Sequence, residues 1–199
     1  MPMTTTKREQ NKINSKRRIL HASRRLFASQ GYDNTMIEDI AKKADVSKAT
    51  LYNYFPNKES LLIGTEKELI DKLRTMVDTN SEGLENSELM LRFALEELVI
   101  ASAEYWNLAR RITYLNSNEN STLYNGRKDL DELFRELIVS AQQEGIFKKD
   151  ADPEEVGDIV IGIYLISQFQ WDHIDKYTPE QIHQKLNAYF DIVMASYYI

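Results

Sequence analysis

The sequence predicts an all-α fold of about nine helices, on three observations. Apolar residues recur at three- and four-residue spacing along nearly the whole chain, which is the period of one face of a helix. The β-branched alternation that marks a half-buried strand is absent. Glycine and proline are scarce, seven and four among 199 residues, so few positions interrupt the periodic segments. The helices fall into a small N-terminal set and a larger set beyond it, with no internal repeat.

Residues 1 to 14 are polar and basic and read as a mobile arm. A first helix follows from Ser15 to Gln30, with Ile19, Ala22, Leu26 and Phe27 as its buried stripe and Arg17, Arg18, Arg24 and Arg25 on its other face. Gly31, free to take positive φ, ends it. Thr35 and Glu38 have capping-box spacing, so a second helix starts there, buries Met36, Ile37, Ile40 and Ala41, and stops near Ala44. Asp45-Val46 is the turn. Ser47 caps a third helix, which Phe55-Pro56 must end, because a residue before proline disfavours the helical region. Asn57 caps a fourth helix from Lys58 to near Thr79, and the polar stretch Asn80 to Asn86 breaks it. Later breaks fall at Tyr105 to Asn107, Asn116 to Ser121, Gly145 to Pro153 and Tyr177 to Pro179.

Charge separates the two sets. The first 59 residues carry 12 basic and 6 acidic side chains, and the remainder 13 and 25. A positive head on a negative body suits a chain that offers one end to a polyanion, because phosphate neutralisation dominates nucleic-acid affinity. Without cysteine there is no disulfide scaffold, thiolate zinc site or cysteine nucleophile. Glu180 and His183 have the spacing of half a di-iron site, but a bundle site needs that motif twice, and His21 and His173 lack the preceding glutamate. No Gly-rich phosphate loop or nucleophile elbow occurs. These features predict neither an enzyme nor a metalloprotein. The polar N-terminus is unlike a signal peptide, and the run Ile159 to Trp171 is interrupted by Ser167, Gln168 and Gln170, so a cytoplasmic protein that spans no membrane is expected.

The short third helix carries the chemistry. Val46, Leu51 and Phe55 anchor it, leaving Ser47, Lys48, Ala49, Thr50, Tyr52, Asn53 and Tyr54 to face outward or sideways. A helix that enters the major groove needs short or flexible polar side chains at its N-terminal end. Lys48 suits guanine O6 and N7, and Ala49 a thymine methyl. Tyr52, Tyr54 and Lys58 suit phosphate oxygens, and Thr35 at the start of the second helix is both a cap and a candidate phosphate contact.

The segment Thr35 to Lys58, with Ile40-Ala41, Val46-Ser47, Thr50-Leu51-Tyr52 and Tyr54-Phe55-Pro56-Asn57-Lys58-Glu59, resembles the DNA-binding segment of the tetracycline-repressor (TetR) family of bacterial transcriptional regulators, over about residues 15 to 62. The family's usual turn glycine is Asp45 here, and aspartate tolerates a left-handed conformation better than most residues. The resemblance implies that Thr35, Ser47, Lys48, Ala49, Thr50, Tyr52, Tyr54 and Lys58 lie at the DNA surface. It further implies an N-terminal three-helix helix-turn-helix domain, residues 1–59, and a larger effector-binding and dimerisation domain, residues 60–199.

In the larger set, Ile159 to Trp171 places apolar groups all round one helix, which must then be buried on every side. A homodimer satisfies this, with Ile159, Ile163 and Ile166 meeting Ile182, Leu186, Tyr189, Val193 and Tyr197 of the last helix in a two-fold four-helix interface. Phe93, Trp106, Tyr114, Phe134, Tyr164, Gln168 and Trp171 are the candidates to line a small-molecule effector pocket. The expected function is a one-component regulator, a repressor released by its effector from a pseudo-palindromic double-stranded operator, with no cofactor. The competing expectation is a helical ligand-binding or protein-interaction module without operator-specific DNA binding.

Overall fold

A computed structural model describes residues 6–80, 83–124 and 126–199. The helices are α1 (Lys7–Gln30), α2 (Ile37–Lys43), α3 (Lys48–Tyr54), α4 (Lys58–Asn80), α5 (Ser87–Ala103), α6 (Trp106–Asn116), α7 (Lys128–Gln143), α8 (Pro153–Gln170) and α9 (Pro179–Met194), with a 3-10 turn at Ile174–Lys176. Among the described residues there is no strand, only a single antiparallel bridge between Phe147 and Tyr198. The chain divides into two compact units, Met1–Glu66 and Lys67–Ile199, and the division falls inside α4.

In the first unit α1 starts eight residues earlier than its apolar pattern suggests. Thr6 and Glu9 form the reason, a capping box in which the Thr6 hydroxyl accepts from the Glu9 amide at 3.3 Å and the Glu9 carboxylate accepts from the Thr6 amide at 2.8 Å. Residues 7–14 are therefore helix rather than mobile arm, and the first five residues of that arm lie outside the described residues. The capping box expected at Thr35 does not form. The Thr35 hydroxyl instead donates to the Gly31 carbonyl at 2.8 Å, closing a tight loop in which Gly31 takes φ 82°. Met36 is the N-cap of α2, exposed and without a side-chain capping bond, rather than part of the buried stripe.

The core of this unit gathers Ile19, Leu20 and Phe27 of α1, Ile40 of α2, Leu51 and Phe55 of α3, and Leu61 and Leu62 of α4. Burying a leucine as fully as Leu51 stabilises by roughly 2 kcal/mol, which anchors so short a helix. Gly64 of α4 permits the closest approach: a Cβ there would sit 2.8 Å from Phe55 Cε1 and 2.9 Å from Leu20 Cδ2.

In the second unit α5 meets α6, α7, α8 and α9. Leu91, Leu95 and Val99 of α5 share one core with Phe134, Ile138, Val160, Ile163 and Phe190. At its edge Arg92 donates to Glu88 at 2.5 Å, Asn187 at 2.8 Å, Asp191 at 2.6 Å and the Tyr198 hydroxyl at 3.0 Å, and its guanidinium lies 4.2 Å from the Phe190 ring centre. No described helix is long and apolar enough to cross a membrane.

The face expected for a second copy is only partly outward. Ile163, Ile182 and Leu186 are buried in the unit's own core, because α8 and α9 each turn one side to α5. Ile159 stays exposed, and Ile166, Tyr189, Val193 and Tyr197 are half-buried. The outward apolar side of α8 is instead Ile159, Ile166 and Phe169, at helical spacing around Gly162, and Ile192 projects from α9.

Candidate nucleic-acid interface

The turn between α2 and α3 sets the interface. Asp45 takes φ 53°, the left-handed conformation expected of it, and its carboxylate accepts from Arg18 of α1 at 3.3 Å. Ser47 then caps α3, its hydroxyl accepting from the Thr50 amide at 3.0 Å and lying 2.8 Å from the Thr50 hydroxyl. With Leu51 and Phe55 sunk into the core, Ser47, Lys48, Ala49, Tyr52 and Asn53 are exposed, and Thr50 and Tyr54 are half-buried. Phe55-Pro56 ends the helix, and Asn57 opens α4 by accepting from the Ser60 amide at 2.8 Å.

Of the eight residues expected at the DNA surface, Thr35 is the exception. It is 2% exposed, with its hydroxyl committed to the Gly31 carbonyl, so it shapes the loop rather than meeting a phosphate. Lys58 is also held, donating to the Asp33 carbonyl at 3.2 Å with its ammonium 4.6 Å from the Tyr32 ring centre. That position ties the start of α4 to the loop before α2.

The residue the sequence reading missed is Glu38. Read there as a cap, it forms a salt bridge to Lys48 across the two helices, and the ammonium also lies 5.9 Å from the Tyr52 ring centre. Their shared hydrogen bond holds Glu38 below the usual carboxylate range and Lys48 above the usual lysine range. Both side chains are about half exposed, so the pair adds little stability and acts on charge. A lysine already neutralised by a carboxylate contributes little to phosphate binding. Glu38→Gln is therefore expected to steepen the log–log salt dependence of binding to random-sequence DNA by about 0.9, one additional phosphate neutralised, and to narrow the margin between specific and random sites. Titrations over a salt series check this; an unchanged slope would show that Lys48 is equally available with its partner in place.

The residues proposed for an effector pocket scatter over the second unit. Phe134 and Trp171 are core, and Tyr114 is 67% exposed on the outward side of α6. Trp106 packs under Arg110, whose guanidinium lies 4.0 Å from its ring centre. Phe93 lines an open groove of about 540 Å³ between α5 and α9, with Leu84, Leu89, Arg92, Glu96 and His183. There His183 Nδ1 lies 2.8 Å from the Glu96 carboxylate, and that bond holds the imidazole above its usual range. Tyr164 and Gln168 belong to a separate buried polar cluster. The Tyr164 hydroxyl is 3.0 Å from that of Ser102, and Thr113 donates to the Gln168 side-chain oxygen at 2.9 Å. Gln168 is 1% exposed, and its Nε2 has no acceptor among the described residues, a deficit of about 1–3 kcal/mol for a buried donor.

Comparison with known proteins falls on these two parts unequally. Residues 19–64 match the family described as bacterial regulatory proteins, tetR family. Over 59 residues the chain is 39% identical to the HTH-type transcriptional regulator YuxN of Bacillus subtilis, a match spanning 30% of this chain and 20% of that one. It is 25% identical over 134 residues to IcaR of Staphylococcus aureus, the negative transcriptional regulator of the biofilm operon icaADBC, covering 67% of this chain and 72% of IcaR. Its fold is similar to that of the transcriptional regulator FadR from Bacillus subtilis, in complex with stearoyl-CoA, at TM-score 0.73 and 19% identity over 92% of this chain and 99% of that one.

Proposed function

We infer from membership of the tetR family of bacterial regulatory proteins, to which this chain belongs, that it is a one-component repressor whose operator is released when a small molecule binds the larger unit. It is a DNA-binding transcriptional regulator. The observation that carries this is α3: buried through Leu51 and Phe55, it presents Lys48, Ala49, Tyr52 and Asn53 to solvent from a capped, rigid turn. Lys48 and Ala49 meet base edges, while Tyr52, Tyr54 and the Ser47 and Thr50 hydroxyls set register on phosphates.

The active species is a homodimer. Ile159, Ile166 and Phe169 of α8 and Ile192 of α9 supply its apolar surface, and Gly162, where an added Cβ would meet nothing within 4 Å, leaves a partner helix room to approach. Two reading helices about 34–36 Å apart then enter successive major grooves of a pseudo-palindrome. The protein works in the cytoplasm by binding, without a catalytic step.

The effector has an apolar body and a hydrogen-bond acceptor. Support comes from the free amide of Gln168 beside the Ser102–Tyr164 hydroxyl pair, within an otherwise apolar core, and from the stearoyl-CoA bound by the Bacillus subtilis regulator of similar fold. Such a molecule releases DNA only by binding the released state more tightly than the DNA-bound state. The test is binding of the purified chain to DNA from upstream of its own coding region, at two salt concentrations with excess unrelated competitor. Competitor-resistant, salt-dependent binding is the expected result; binding that the competitor abolishes at both salts would contradict a local operator.

A further inference from the structure

The first three turns of α1 have no core to serve. Ile19 is the first buried residue among those described, so Lys7 to Arg18 project about 18 Å along the helix axis ahead of the packed part of the domain. The segment holds six cations, Lys7, Arg8, Lys12, Lys16, Arg17 and Arg18, and one carboxylate, Glu9, which the cap occupies. Arg18 is drawn to Asp45, whereas Arg8, Lys12 and Lys16 form no ion pair with any described residue.

Their placement is directional. Arg8, Lys12 and Lys16 follow one another at four-residue spacing, and the same stripe continues through Ile19, Ser23, Leu26 and Phe27, all buried. The side of α1 that packs against α2 in the domain is therefore the side that turns cationic where the helix runs free. Arg18, on an adjoining side of α1, reaches Asp45 in the turn that precedes α3. Lys7, Arg17 and Arg18 lie round the rest of the helix, so the stripe holds three of the six cations, on the side of α1 that meets α2, the partner of the reading helix.

We propose that the free first three turns of α1 are a second DNA-contacting element, whose Arg8–Lys12–Lys16 stripe binds backbone phosphates flanking the segment that α3 reads. The proposal rests on the DNA-binding reading of α3. It adds affinity without sequence preference, because its contacts are made to phosphate alone.

The full chain and its R8Q/K12Q/K16Q variant are titrated with a 40-base-pair random-sequence duplex from 50 to 200 mM salt. Glutamine keeps helix propensity close to that of lysine and arginine, and circular dichroism checks that the helix content is unchanged. Three phosphates fewer lower the log–log slope by about 2.7, so the variant's affinity falls about 40-fold less than the wild type's across that range. R8K/K12R/K16R retains the wild-type slope. An unchanged slope in the glutamine variant, with Tyr52→Ala in α3 weakening binding in the same assay, overturns the proposal and leaves the role of α3 standing. Absence of salt-dependent binding by the wild type overturns both.

Discussion

Arg92→Met is expected to destabilise the larger unit by about 3 kcal/mol. The arginine joins Glu88, Asn187, Asp191 and Tyr198, and its own side chain and that of Glu88 are 19% and 10% exposed. Methionine fills much of the same volume but leaves the Glu88 carboxylate buried with, among the described residues, the Tyr198 hydroxyl donating to it at 2.5 Å. Asp191, which is largely exposed, regains water, so the loss centres on Glu88. A buried carboxylate left without its counter-ion is the source of that loss. Urea melts check this, and Glu88→Gln added to Arg92→Met is expected to recover part of the loss. A single variant as stable as the wild type would mean that the cluster contributes no net stability.

Gly64→Val is expected to abolish operator binding through the fold of the reading domain rather than through any DNA contact. Even the first added carbon sits 2.8 Å from the rigid Phe55 ring and 2.9 Å from Leu20, both buried, and relief requires moving α4 away from α1 or displacing the ring that ends α3. Overpacking of this kind costs about 1–3 kcal/mol, and a β-branched side chain lies at the upper end. Gly64→Ala regains about 0.5–1 kcal/mol of helix propensity and is the milder change. Circular dichroism melts beside DNA titrations separate the two effects: a variant that melts like the wild type yet fails to bind would contradict a packing origin.

The boundaries legible in the sequence were those set by strictly local chemistry. Ser47, Asn57 and Pro56 act on amides within four residues of themselves, so no distant group competes for them, and α3 lies between them as expected. The capping-box pattern shows where local reading stops. It occurs at Thr6–Glu9 and again at Thr35–Glu38 with the same spacing, and only the first forms. At the second, Gly31 offers Thr35 a carbonyl and Lys48 offers Glu38 a charge, and both partners come from beyond the pattern. The larger unit was legible as helices and breaks but not as faces. Aromatic residues at helical spacing include the fully buried Phe134 and the exposed Tyr114 alike, and which side of α8 meets α5 depends on how the helices stack. The all-round apolar character of α8 nevertheless left Ile159 and Phe169 uncovered after the rest was packed.

Asp45 limits what evolution or a mutant library can place in the turn. At φ 53° glycine fits freely, asparagine and aspartate fit nearly as well, and other side chains incur about 1–2 kcal/mol before any contact with DNA is considered. The Arg18 partner adds little to this preference, because both side chains are well exposed. A selection for repression over all twenty residues at this position would thus return a short set chosen by backbone geometry. Such a narrow set would register as functional constraint although the side chain itself reads no base.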